Sequence, residues 1–456
     1  MTASASRRRR RTVTAAVTGG LLVVVAAALF VVGVVTLSNS EEGSAVEIDG
    51  RPRVSLPDTP NAALGLVDRN GALASVVVMT LLPEGQGGSI VTVPVNADVT
   101  AGFGEQRQAL SDVVDPDDVE SLRRPLEDIL TITIERVDII GDEQVGDLLA
   151  PFESVQVTLP EDVVDSSALG SGIVAQAGSQ MLRRSLVVES LLAVNDVGDA
   201  ADHQDVDVAL WSAIARSAPT ASPPPAAPTD DLGRPVAPET AADLAARLWQ
   251  GEVAVRDLAV YEPTPAENPT DADVVVIDRA DSVLVFAQVS PALVATPSPG
   301  LSVRLEVPFT DDQLAASGGD FETTSELART MVARVLFFAA NVVSVDTTPA
   351  ADGAGTLTEV EVAEERFLAD SEAAAEVLYG PSEVRVADVV IDGVDVVVRL
   401  GTAFLDRESA GPSGEDPEGL DVGDLDPAVD PDDSTDPAAT SGDATSSPES
   451  TVEADG

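Results

Sequence analysis

Two closely spaced apolar runs restrict the fold of this chain more than any other feature of its sequence. ALASVVVMTLL (72–82) and SIVTVPV (89–95) are separated by the turn-forming residues PEGQGG. Their many β-branched residues predict two strands, and their continuous apolar character indicates strands buried on both faces. The sequence therefore predicts a mixed-sheet α/β domain around these two strands.

The pattern around these runs predicts further strands and helices of this first domain. Helix-starting acids stand in 116–128, where Pro125 is expected to end or kink the helix. The run 129–140 alternates with the period of a strand. Further strands are predicted at 154–159, 273–277 and 282–289, and helices at 142–149, 180–194, 206–216 and 240–249.

A second, smaller α/β domain is predicted C-terminal to the first. Strand-like runs alternate with helical ones, which is typical of a sheet covered by one layer of helices. The predicted strands are 301–307, 341–347, 356–362 and 394–400, and the predicted helices are 325–340 and 371–379.

The N-terminal residues predict a membrane anchor. Arg7 to Arg11 form a basic run, and the uncharged stretch 12–37 that follows is long enough to cross a bilayer as a helix. Residues 1–11 would then be cytoplasmic, and everything after Ser38 would lie outside the membrane. A cleavable signal peptide is the alternative, but no clear Ala-x-Ala site precedes 38–43.

The predicted organisation has four further segments. Residues 38–60 are polar and form a stalk, 61–292 form the first domain with a Pro-rich loop at 217–238, and 300–406 form the second. The tail 407–456 is acidic and has almost no large apolar residue, so it is predicted to be disordered.

Charge and composition exclude several kinds of function. The chain has 78 acidic and 26 basic residues, a formal charge of −52, no cysteine and one histidine, His203. Nucleic acid requires a positive surface, so it is excluded as a partner. Disulfides and thiolate metal sites are excluded too, and a lone histidine in an acidic segment is more often a solvated residue than a catalytic base.

Several weak motifs together give the chain a family resemblance. The basic-capped anchor, the segments 61–82 and 91–99, and the RLGTAF sequence at 399–404 resemble the LytR-CpsA-Psr family and its LytR C-terminal domain. That resemblance implies an extracytoplasmic enzyme that transfers a glycan from a polyprenyl-pyrophosphate donor to the cell wall. In the family, arginines and a magnesium ion neutralise the phosphates, as transfer of such a charged group requires.

The family's site residues are only partly retained. Its Gly-x-Asp-x-Arg motif corresponds to LGLVDRN, in which Asp68 and Arg69 are plausible remnants, although the stretch is also a good turn sequence. Neither the arginine nor the aspartate of the next motif is present at 73–76, so one magnesium ligand is missing. The family's Pro-Arg-Asp is Pro94-Val95-Asn96 here, with Asp98 close by.

The family's fourth motif is also only partly retained. Asp199 and His203 stand in the segment 194–205 that matches the arginine-rich helix of the family, but its arginines are absent. Asp68, Arg69, Asp98, Asp199 and His203 are therefore the candidate substrate-binding residues. Arg123 and Arg124 could replace the missing cations from a different element, but paired arginines near a helix end more often lie solvated or pair with neighbouring acids.

The sequence thus predicts a membrane-anchored, LytR-CpsA-Psr-like protein of the cell envelope with a degenerate site. We expect a non-catalytic binding or assembly factor whose partners are prenyl-linked glycans, wall polymers or sister ligases. One alternative is a divergent phosphotransferase, which would use magnesium. A second alternative is a structural spacer that presents the acidic tail.

Overall fold

A computed structural model describes the chain from residue 50 to residue 410, apart from short gaps. The described residues are 50–100, 106–166, 172–194, 200–218, 228–229, 235–296, 299–351 and 353–410, with the side chains of 200–203 left out. The predicted anchor, the predicted tail after residue 410, most of the Pro-rich loop and Asp199 lie outside these ranges. No helix within them is long and apolar enough to cross a membrane.

The described part of the chain contains both strands and helices. The strands are β1 Arg53–Val54, β2 Asn61–Val67, β3 Leu73–Leu81, β4 Gly88–Val93, β5 Arg136–Ile140, β6 Ser154–Leu159, β7 Val163–Asp165, β8 Gly172–Ala175, β9 Gly178–Arg183, β10 Val253–Arg256, β11 Val260–Tyr261, β12 Val276–Ile277, β13 Ser302–Glu306, β14 Asn341–Asp346, β15 Thr358–Val362, β16 Ser382–Val386, β17 Val390–Ile391 and β18 Val396–Arg399. The α-helices are α1 Leu110–Val113, α2 Glu120–Leu130, α3 Asp142–Leu148, α4 Arg184–Leu191, α5 Ala200–Ser217, α6 Ala241–Leu248, α7 Arg279–Val289, α8 Asp311–Ser317, α9 Thr324–Phe337, α10 Leu368–Leu378 and α11 Thr402–Ser409.

The first sheet has five strands in the order β10-β4-β3-β2-β5. It is mixed, because β3 runs antiparallel to β2 and β4 whereas β5 and β10 join their neighbours in parallel. Almost every residue of the three central strands is buried. The prediction of two strands buried on both faces is confirmed.

Helices cover both faces of this sheet, which makes the region three-layered. On one face, β2 and β3 pack with α4, α5, α6 and the antiparallel pair of β6 and β9, around the buried Trp211. On the other face, α2 and α7 pack on the sheet through residues such as Leu126 and Phe286. The apolar side chains at alternate positions of each central strand are therefore divided between two separate cores.

Helix α2 differs from the prediction at both of its ends. Pro125 lies inside the helix, which continues to Leu130, so the expected break does not occur. Leu122, Leu126 and Leu130 recur every four residues and are fully buried, and this packing outweighs the cost of the proline. The predicted strand 129–140 is consequently wrong in its first half, since β5 begins only at Arg136.

Two other predicted elements are corrected by the structure. The predicted helix 180–194 is a strand up to Arg183 and a helix only afterwards. The run 282–289 belongs to helix α7, whose start is capped by the Asp278 carboxylate. Residues 282–287 are all buried, and a short apolar run buried all round has no periodicity that separates a helix from a strand.

The second sheet is covered by helices that bury one of its faces. Its strand order is β14-β13-β18-β15-β16, again with mixed directions. Its core forms against α9 and α10, whereas the opposite face carries ion pairs between strands that join Arg399 to Glu306 and Glu359, and Arg304 to Asp346. The strands and helices predicted for this region are confirmed, and α8, β16, β17 and α11 were not predicted.

Two contacts connect the part of the described chain after residue 299 with earlier parts of it. Helix α7 contributes Val285 and Phe286 to the core of the first sheet and Val283 and Leu284 to that of the second. Near the start of the described chain, β1 pairs in parallel with β17. The adjacent Arg51 donates hydrogen bonds of 2.8 Å to the carbonyl oxygens of Ala363 and Ala387. The predicted domain boundaries at 292 and 300 stay predictions.

Candidate functional site

A cleft opens at one edge of the first sheet. Because β3 runs antiparallel to β2 and β4, its first residues lie beside the last residues of both neighbours. The cleft has a volume of about 430 Å³, within the usual range for small-ligand sites. Its polar lining residues are Thr92, Asn96, Ser111, Asp112, Gln204, Asp207 and Asp273.

Asp207 is the most perturbed acid of the cleft. It projects from α5, and its Oδ2 accepts a hydrogen bond of 2.7 Å from Oγ of Ser75, a fully buried residue of β3. Part of the residue stays open to the cleft, but burial of the carboxylate raises its pKa from 3.8 to about 7. Near neutral pH this group therefore both accepts hydrogen bonds and, when protonated, donates one.

Amide side chains stand next to this acid. Asn96 follows β4 in a turn closed by the hydrogen bond from the Ala97 amide to the Pro94 carbonyl, and its Nδ2 is buried without a partner among the described residues. Gln204 is buried on α5 and donates 2.9 Å from Nε2 to the Leu258 carbonyl. That bond holds the amide in place and leaves its oxygen as an acceptor.

The charge of the cleft is negative. Asp112, Asp207 and Asp273 line it, and no arginine of the described part of the chain does. The chain has no lysine to take that role. Carboxylates repel phosphates but form strong hydrogen bonds with hydroxyl groups, so the lining favours a hydroxyl-rich ligand over a diphosphate.

Asp68 and Arg69 lie in the turn between β2 and β3, at the same edge of the sheet. The Asp68 carboxylate accepts hydrogen bonds from the amides of Asn70 and Ala72, both 2.8 Å long, and one from the Asn70 side chain. Gly71 completes the turn with a φ of 84°. These bonds match the turn interpretation of the sequence, in which Asp68 organises its own backbone.

Arg69 is not among the residues that line the cleft. Its guanidinium pairs with Asp142 at 2.8 Å and the side chain is 79% exposed. The hydrogen bond and the charge of Asp142 raise the pKa of Arg69. The arginine is thus held by an acid of α3 and does not line the cleft.

Of the other three candidate residues, only Asp98 has a described side chain. The Asp98 side chain is 3% exposed, forms an ion pair with Arg107 and accepts a hydrogen bond from the Thr100 amide, which stabilises its loop. Arg123 bonds to Glu120 and to the Ile134 carbonyl. Asp199 lies outside the described residues, and His203 is described only as part of the α5 backbone. The assignment of these residues to ligand binding stays a prediction.

Sequence reasoning missed Asp207 and Ser75, which are 132 residues apart. One signal was available in α5, where Leu210 and Ile214 are buried three and seven positions after Asp207. An acid in line with the apolar stripe of a helix marks a carboxylate that faces the interior.

No preformed magnesium site is present among the described residues of the cleft. A hard cation needs several oxygen ligands that converge on one point. The described residues contain no group of three or more acidic or histidine side chains arranged to hold a metal ion.

Comparisons with known proteins show a weak structural likeness and no sequence relative. No family model matches the chain, and no curated protein matches it significantly. Among solved structures, it is similar to a putative transcription regulator from Eubacterium siraeum with 11% identity and a TM-score of 0.35, covering 49% of this chain and 88% of that one. It is also similar to TagV of B. subtilis, with 12% identity and a TM-score of 0.34, and the match covers 50% of this chain and 94% of TagV.

A third similar structure is a LytR-CPS2A-psr family protein, YwtF (TagT), with bound octaprenyl pyrophosphate lipid. The identity is 15% and the TM-score 0.32, covering 49% of this chain and 86% of that one. These similarities are too weak to assign the chain to a family.

Proposed function

We propose that this chain is a membrane-anchored cell-envelope protein that binds the glycan portion of wall polymers or of prenyl-linked glycans and does not transfer phosphate. The observation that carries the proposal is the lining of the cleft by three carboxylates, Asp112, Asp207 and Asp273. Transfer of a glycosyl phosphate requires cations around the phosphates, and this lining has the opposite charge.

Polar side chains of the same cleft suit the hydroxyl groups of a sugar. The Asp207 carboxylate is held by Ser75, the Gln204 amide is held by a backbone carbonyl, and the Asn96 amide has a donor without a partner among the described residues. Oriented acceptors and donors recognise neutral hydroxyl groups by direct hydrogen bonds. Membrane anchoring rests on the basic run and apolar segment of the N-terminal 37 residues.

The proposal is tested by titrating the full chain at about pH 8, where Asp207 is ionised, with chitotetraose as an uncharged glycan probe. We expect saturable binding by calorimetry, and Asp207→Asn is expected to weaken it about tenfold because a charged hydrogen-bond acceptor is lost. Asp205→Asn removes the same charge from an exposed position of the same helix and should leave the affinity unchanged.

A parallel titration with geranyl pyrophosphate, with and without Mg²⁺, tests the phosphotransferase alternative. We expect no saturable binding, because the carboxylates of the cleft repel the diphosphate. Tight Mg²⁺-dependent binding that is lost in Arg69→Ala would contradict the proposal and support an enzyme. Equal glycan affinity of the wild type and Asp207→Asn would show that the cleft is not the glycan-binding site.

A further inference from the structure

The second sheet contains a cavity that the proposed function does not use. It lies between the sheet and the helices α9 and α10, and its volume is about 320 Å³. Its apolar wall includes Val303, Val335, Val360 and Leu378. Small residues produce the space, because Gly300, Ala339, Ala340, Ala374 and Ala375 all line it.

Polar groups stand at two places in this wall. Ser371 on α10 is 5% exposed, and its Oγ has no hydrogen-bond partner within the described chain. Tyr379 also lines the cavity, and burial raises the pKa of its hydroxyl, which therefore stays protonated as a donor. A buried hydroxyl without a partner costs free energy, and a ligand that bonds to it would recover part of that cost.

The rim of the cavity is aromatic on one side and acidic on another. Phe338 lines the cavity, and its ring packs edge-on against that of Phe337 with 5.8 Å between centroids. The Phe337 side chain is 86% exposed, which is unusual for so large an apolar group. Asp370 also lines the cavity and is itself exposed, so a negatively charged ligand is repelled at this point.

From the apolar wall, the unpartnered hydroxyl and the acidic rim, we propose that this cavity binds an uncharged, mainly apolar molecule or chain end that carries one hydroxyl group. The hydroxyl would bond to Ser371 or Tyr379, the apolar part would fill the space next to the alanines, and Phe337 and Phe338 would cover the entrance. The cavity is separate from the acidic cleft, so its emptiness or occupancy does not decide the proposed function.

Photolabelling of the full chain with a diazirine derivative of 1-decanol tests this site. We expect labelled peptides to map to residues 335–340 and 370–379 and the labelling to be competed by unmodified 1-decanol. The decanoic acid analogue has the same chain but a negative charge at neutral pH, so we expect it to label these peptides at least about tenfold less.

A matched pair of variants on α10 locates the ligand. Ala374→Phe places a ring in the cavity and should reduce labelling about tenfold. Ala373→Phe adds the same ring at the neighbouring exposed position and should leave labelling unchanged. Ser371→Ala keeps the cavity open and should weaken competition by 1-decanol about fivefold, the effect of one hydrogen bond.

Three results would overturn the proposal. They are labelling spread over the surface and insensitive to Ala374→Phe, equal labelling by the alcohol and the acid, and unchanged competition in Ser371→Ala. If Ala374→Phe fails to fold, as judged by thermal unfolding, the Ser371→Ala comparison and the comparison of the two probes still decide the outcome.

Discussion

The two five-stranded sheets bury their strands to different extents, and their cavities differ accordingly. The central strands of the first sheet have no charged residue and are buried on both faces. In the second sheet, β13 and β15 alternate buried with partly exposed positions, and the exposed face carries ion pairs. A sheet covered on both faces can place charged groups only at strand ends, which is where the acidic cleft lies. A sheet with one open face keeps its charges there and leaves an apolar space under its helices.

The largest expected difference is between a lysine placed on a buried strand of the first sheet and a lysine placed on the open face of the second sheet. Val77→Lys puts a charge into a fully buried position of β3 and is expected to destabilise the protein by at least about 4 kcal/mol. Val397 lies on the open face opposite Glu361. Val397→Lys should therefore change the free energy of unfolding by less than about 1 kcal/mol. Chemical denaturation measures both, and similar losses would contradict the difference between the sheets.

Two arginines near the first sheet give the next comparison. Arg107 is 16% exposed and pairs with the buried Asp98, so Arg107→Ala leaves a buried carboxylate without its partner. We expect a loss of about 3 kcal/mol by denaturant titration. Arg69→Ala removes an exposed pair and should give no measurable change. A large loss in Arg69→Ala would indicate that the β2–β3 turn depends on this ion pair.

Asp207 is expected to make stability depend on pH. Its pKa in the folded protein is raised to about 7 from 3.8. The contribution of protonated Asp207 to the stability of the folded protein is therefore fully present below about pH 4 and is lost as the pH rises towards 7. Asp207→Asn should therefore stabilise the protein by about 2 kcal/mol at pH 8 and by much less at about pH 5. Asp205→Asn is the exposed control, and a pH-independent difference would show that Asp207 is not desolvated.

The smallest expected effect is on the open face of the second sheet. Arg399 pairs with Glu306 and Glu359 on the two neighbouring strands, but the side chain is partly exposed. Arg399→Ala should lower the free energy of unfolding by about 0.5 kcal/mol, and added salt should reduce this difference. A loss that salt does not change would indicate packing of the arginine stem as the cause.

Much of the fold follows from local pattern. The buried strands β3 and β4 were predictable from their continuous β-branched, apolar runs, and β6 and most of the second sheet were predictable from their alternation. Helix α7 was not, since its residues contact two cores at once and are apolar on every side. Helix α2 passes through Pro125 because of packing that only the tertiary structure reveals.

The candidate site was harder to predict than the fold. Asp68 and Arg69 were found from their motif, but their side chains are taken up by the turn and by Asp142. The Asp207–Ser75 contact joins two distant elements, and no local pattern encodes which strand faces a given helix position. The acid in the apolar stripe of α5 indicated a buried carboxylate but not its partner.

The pairing of β1 with β17 determines how the protein would respond to tension. A pull on the segment that precedes residue 50 first loads the two hydrogen bonds of the Arg51 guanidinium and then the short parallel ladder beside it. Mechanical force would thus reach the region of the second sheet before it reaches the strands that frame the acidic cleft.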